Sequence, residues 1–117
     1  MKTLTRQEVL TLAPTLARET LDIPEWKGSI IIQELTASER DAWEIYNKTA
    51  RDKGEPVNIR ASLAVWSVCD EQGNALFTRA DIPTLGKHSA KILDRIWDVA
   101  TRINGIGKDG DAEIKNS

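Results

Sequence analysis

The chain has one cysteine, one histidine, one methionine, one phenylalanine and one tyrosine among 117 residues. The lone Cys69 excludes an internal disulfide, and with His88 as its only companion it makes a poor zinc set. Neither sign of charge dominates: sixteen Lys and Arg stand against eighteen Asp and Glu, a net charge of −2. Proteins that grip a phosphate backbone usually present a broad basic face, so this balance argues against nucleic acid as a partner. No apolar run approaches the ~18 residues of a membrane span, and the opening MKTLTRQEVL lacks the apolar core of a signal peptide. The expectation is a cytoplasmic, soluble chain with no membrane partner. What is present is ordinary for one folded domain: 40% hydrophobic and 29% charged residues, enough apolar material for one modest core.

Helix signals come early. Thr5 followed by Glu8 is a capping-box pattern that opens a short helix through Val9, Leu10 and Leu12, and Pro14 ends it. Glu19 to Ile23 then alternates, with Thr20 and Asp22 on one side and Leu21 and Ile23 on the other. Pro24 to Gly28 supplies turn chemistry. Ser29 to Leu35 carries Ile30, Ile31 and Ile32, a β-branched run that favours a strand. Together these predict a hairpin around Gly28, whose apolar face must lie on helices or on another subunit, because an isolated hairpin is marginal.

A second capping box, Thr36 with Glu39, opens a helix that Gly54 stops, and Ala42, Trp43, Tyr46 and Ala50 form its apolar stripe. Its charged faces, with Arg40, Asp41, Glu44 and Lys48, read as solvated surface. From Ile59 to Cys69 the chain is apolar almost all round, which suits a buried helix or a core strand. Ala61 and Ala64 favour the helix; the alternative is a strand over Leu63–Cys69 paired with Ala75–Thr78 across a turn at Asp70–Asn74. Asp81 caps a short helix that admits Pro83 and breaks at Gly86. A long helix then runs from Lys87 or His88 to Asn104, with Ile92, Leu93, Ile96, Ala100 and Ile103 on one stripe and Gly105 at its end.

The predicted fold class is therefore α+β and mostly helical: a small domain of about four to five helices with an N-terminal β-hairpin. The hairpin spans about 19–35 and the main helices about 37–53, 57–69 and 88–104. Residues 1–105 form one globular domain, followed by a mobile polar tail over 106–117.

No catalytic constellation accompanies these elements. His88 sits at a helix start with no evident nucleophile or orienting group, and Cys69 lies in the apolar run as a small core residue. Gly105, Gly107 and Gly110 with Lys108 follow a helix instead of opening one, so they are not a phosphate loop. Asp109, Asp111 and Glu113 lack the spacing of a calcium loop. No enzyme, metal or cofactor is expected. Four tryptophans stand out beside one Phe and one Tyr. Trp43 and Trp66 are assigned to the core, and Trp97 to the edge of the last helix's stripe. Trp26, in a charged turn, either folds over its own core or anchors an interface. Trp26, Ile30, Ile32 and Trp97 are the candidate residues for partner binding or self-association.

Several of these pieces, in order, resemble the tail assembly chaperones of long-tailed bacteriophages and their prophage relatives. They are Leu21-Asp22-Ile23-Pro24-Glu25-Trp26 with Gly28, then Glu34-Leu35-Thr36 leading into Glu39-Arg40-Asp41. Cys69-Asp70-Glu71, Gly73-Asn74, Leu76-Phe77-Thr78, the helix through Leu93 and the closing Lys115-Asn116-Ser117 complete the set. The resemblance covers roughly Thr20 to Ser117. It implies a non-enzymatic protein of the infected host's cytoplasm, absent from the finished virion. Such a protein binds the tape measure protein, keeps it soluble, self-associates, and helps recruit tail tube protein through a longer, frameshifted form. Two other readings stay open. A small DNA-binding regulator would use Lys87, Lys91, Arg95 and Arg102, which share a helix face interrupted by Asp94 and Asp98. A structural tail or head-completion protein would remain in the virion.

Overall fold

The computed structural model describes residues 1–107; residues 108–117 of the expected tail, with Gly110 and the acidic positions Asp109, Asp111 and Glu113, lie outside the described residues. The fold is α+β and mostly helical, with five α-helices and a three-stranded antiparallel sheet in the order β1-β2-β3 among the described residues. The strands are β1 (Arg18–Ile23), β2 (Gly28–Gln33) and β3 (Val68–Cys69); the helices are α1 (Arg6–Thr11), α2 (Ala37–Asp52), α3 (Ile59–Ser67), α4 (Ile82–Leu85) and α5 (Ala90–Ile103).

The hairpin registers Leu21 on Ile30 and Glu19 on Ile32. Leu21, Ile23, Ile30 and Ile32 thus share the face turned to the helices, while Thr20, Asp22 and Ile31 take the other. Its turn differs from expectation. A 3-10 turn over Pro24–Trp26 leads to Lys27, and it is Lys27, not Gly28, that adopts the left-handed conformation (φ 57°). Gly28 is the first residue of β2, opposite Ile23. A side chain thus sits where glycine would be less strained.

Both capping boxes form. Thr36 N–H donates to Glu39 Oε1 (2.8 Å) and Glu39 N–H to Thr36 Oγ1 (3.1 Å), satisfying donors at the start of α2. The buried stripe of α2 includes Trp43, whose indole N–H donates to Ser62 Oγ of α3 (2.9 Å). That bond removes the cost of burying the indole nitrogen, and Ser62, fully buried, gains a partner.

The apolar run from Ile59 is mostly the helix, and of the alternative strand over Leu63–Cys69 only the last two residues are extended. Ile59–Ser67 is helical, and the backbone then extends at Val68 (φ −80°, ψ 130°) so that Val68 pairs with Ile32 and Cys69 with Ile31. The Asp70 carboxylate accepts from the Gln72 and Asn74 amides, both at 2.9 Å, and turns the chain back. Of the expected partner strand Ala75–Thr78, only a single bridge from Ala75 to Cys69 forms. Gly73 takes a left-handed φ of 87° and lies against the Arg18 guanidinium, where a Cβ would collide.

The end of α5 corrects the expected tail boundary. Gly105 (φ 66°) donates to Arg102 O (3.2 Å) and Ile106 to Thr101 O (2.8 Å), the bond pair of a Schellman motif. Such a motif folds the residue after the glycine back onto the helix. Ile106, expected in the polar tail, is only 2% exposed and belongs to the core. Beside it Asn104 accepts from Leu35 N–H through Oδ1 (2.8 Å) and donates Nδ2–H to Ala100 O (2.8 Å), tying the hairpin's exit to α5.

Candidate functional site

The four residues singled out from the sequence do not share one environment. Trp26, in the hairpin turn, is half-buried against the core, and its ring stands 4.9 Å from the His88 ring in a tilted pair. Neighbouring Glu25 accepts from Arg95 Nη2 (2.5 Å), and at the other end of β1 Glu19 takes Arg102 Nη2 on both oxygens (2.8 and 2.6 Å). The hairpin is thus fastened to α5 by two ion pairs and to His88, just before that helix, by an aromatic contact. Ile30 is half-buried on the core side of β2, and Trp97 is half-buried 6.4 Å from Trp43. Ile32 is a correction. Its side chain lies on the face turned to the helices and Val68 of β3 pairs beside it, leaving 0% exposed, so it offers no surface to a partner.

The charged face of α5 is largely consumed within the chain. Of Lys87, Lys91, Arg95 and Arg102, the two arginines are paired with Glu25 and Glu19, and Asp94 is bonded by Arg60. The bidentate Glu19 carboxylate raises the Arg102 guanidinium above its ordinary pKa. Arg95 in turn holds the Glu25 carboxyl below its ordinary value. Lys87, just before α5, and Lys91 in its first turn are exposed.

Cys69 is buried in β3, and burial raises its thiol pKa, which disfavours the nucleophilic thiolate. His88 is exposed beside Trp26. Among the described residues no three or more His, Cys, Asp or Glu gather as a metal site, and no helix is long and apolar enough to cross a membrane.

The structure instead shows an apolar surface that the sequence reading passed over. An open groove of about 410 Å³ runs along α2, floored by Ala42, Ile45, Tyr46 and Ala50 and rimmed by Lys53, Glu55 and Arg79. Ile45 is 64% exposed. Beneath the groove the Tyr46 ring lies 5.5 Å from that of Trp66, with the Arg79 guanidinium 4.9 Å from the Trp66 ring centroid. Ile45 escaped notice because it lies two residues from Trp43, off the helix's core stripe. Its signal was an isoleucine on an otherwise charged face.

No protein-family model matches the chain, and no curated protein matches it in sequence. The fold, however, has a counterpart. Among solved structures, the tail assembly chaperone of bacteriophage HK97 superposes with a TM-score of 0.61, covering 84% of this chain and 90% of that one at 15% identity. At that identity the likeness is one of fold: two small chains share nearly their whole architecture.

Proposed function

We propose that this protein is a tail assembly chaperone of a long-tailed bacteriophage or prophage. The observation that carries the reading is the near end-to-end fold correspondence with the HK97 tail assembly chaperone. The order of weak motifs from the hairpin to α5 supports it independently. On this reading the protein works without catalysis in the cytoplasm of the infected host. It binds the tape measure protein, keeps that long helical chain from aggregating, and leaves before the virion is complete. Recruitment of tail tube subunits belongs to a longer form of the chain.

The physics of such a task is multivalent. A long apolar helix stripe is hidden by many copies, each making a weak contact that becomes strong when the copies are linked. Trp26, Ile30 and Trp97 keep accessible area and are the client contacts proposed here; Ile32, fully buried, is not among them. Co-expression with the tape measure protein of the same phage or prophage tests the role. A soluble tape measure that co-purifies with many copies of this chain is the expected result. An insoluble tape measure with no complex would overturn it and direct attention to DNA binding, for which Lys91 of α5 and Lys87 just before it are exposed cations.

A further inference from the structure

Between β3 and the 3-10 turn at Arg79–Asp81 the chain forms no helix or strand, and it is fixed at both ends but lightly held between. At the near end Val68 and Cys69 pair with β2. At the far end Thr78 N–H donates to Asp81 Oδ2 (2.8 Å), and Ile82, the first residue of α4, is 1% exposed. None of residues 71–78 is buried; only Gly73 and Phe77 are half-buried, and Leu76 is 50% exposed. Phe77 is the one large side chain of the segment that packs against the core. Backbone ties to the body are few: Leu76 N–H to Val68 O (3.1 Å), the single bridge from Ala75 to Cys69, and Arg18 Nη1–H to Glu71 O (3.0 Å). The turn within it closes on itself, through the Asp70 carboxylate and through Asp70 N–H to Asn74 O (2.8 Å).

This strap covers more than it buries of itself. Cys69, between Ile31 of β2 and Ala75 of the strap, is only 6% exposed. Gly73 and Ala75 line, with Trp66, Ser67 and Cys69, a cleft closed down to about 20 Å³. Trp66 separates that cleft from the α2 groove, because Tyr46 and Arg79, which line the groove, lie against its ring. Segments with few buried apolar contacts open at a free energy well below that of global unfolding.

We propose that residues 71–78 open as a unit while the body stays folded, uncovering Cys69 and Trp66 and joining the cleft to the α2 groove. Closed, the chain presents the groove alone. Open, it presents an aromatic face that runs from Tyr46 across Trp66. Two residues set the balance between the states. Asp70 holds the closed turn through the Gln72 and Asn74 amides. Gly73 supplies the left-handed backbone (φ 87°) that lets the turn lie against Arg18. The device requires neither a client nor a second copy, so it does not rest on the chaperone reading.

The chain's only cysteine reports the opening directly. The full chain is labelled with a maleimide at urea concentrations below the unfolding transition, and global unfolding is followed separately by far-UV circular dichroism. Labelling of Cys69 should run at least about a hundredfold faster than the globally unfolded fraction allows. Its dependence on urea should be much shallower than that of global unfolding, because the slope scales with the surface exposed. Variants separate the two routes. Asp70→Ala and Gly73→Ala destabilise the closed strap, and each should speed labelling at least about fivefold. Ile96→Val weakens the α5 core in the closed and open states alike; it should raise the unfolded fraction about fivefold and leave labelling within about twofold of wild type. Three results would each overturn the proposal: labelling that follows the urea slope of global unfolding, labelling that Ile96→Val accelerates as much as it does unfolding, or labelling that neither strap variant changes. A wild-type Cys69 that reacts like a free thiol would also overturn it, since no closed state would then exist.

Discussion

Helices α1 and α2 open with the same device, a Thr-x-x-Glu capping box closed in both directions, yet they meet opposite fates. The stripe of α2 buries Trp43, Asn47 and Ala50 against the body, while α1 buries nothing. Local signals therefore say where a helix starts; they do not say whether its apolar side has somewhere to go. In the body, apolar surface is satisfied within the chain. In the N-terminal arm it is held outward, with Val9, Leu10 and Leu12 each half exposed or more.

Substitutions should split along this boundary, beginning with the largest effect. Trp43→Ala removes a fully buried indole and leaves Ser62 without its donor; urea unfolding should show a loss of about 3–5 kcal/mol. Leu10→Ala on the arm should leave the unfolding of the isolated monomer within about 0.5 kcal/mol, and a loss as large as the core substitution's would erase the contrast. Asn104→Ala strips the Leu35 amide of its acceptor, and a loss of about 1–3 kcal/mol is expected. Trp26→Ala tests the boundary between core and contact. Its half-buried ring on His88 predicts about 1–2 kcal/mol, and a far larger loss would make it a core residue only.

Two smaller effects concern the hairpin. Lys27→Gly relieves a left-handed backbone and should stabilise the chain by about 0.5–1 kcal/mol, read as a rise in Tm. The Glu25–Arg95 pair gives a weak dependence on acid. Because Arg95 holds the Glu25 carboxyl below its ordinary value of 4.5, the pair contributes fully above that value and is lost as pH falls through the lowered one. Glu25→Gln should flatten that acid slope, and added salt should do the same. An unchanged slope would mean the ion pair does not fasten the hairpin.

Much of this architecture was legible because its signals are local. The capping boxes, the stops at Gly54 and Gly105, the alternation before Pro24 and the α5 stripe each occupy a few consecutive residues. What escaped is what distant residues decide. The change from helix to strand at Val68 depends on Ile31 and Ile32 presenting an edge more than thirty residues earlier. Ile106 reads as tail until the Schellman turn folds it onto the core. The same limit governed the interface residues: Ile32 looked available in a strand whose other side could not be seen, while Ile45 went unremarked on a helix whose groove is completed by Arg79 from a distant part of the chain.

The central claim is that the protein serves tail assembly without becoming part of the tail. Its most direct test is quantitative mass spectrometry of two fractions from cells producing the phage: complexes recovered with the tape measure protein, and purified finished particles. The account predicts many copies of this chain for each tape measure molecule in the first fraction and none in the second. A fixed number of copies in finished particles would contradict it and make the protein a structural component.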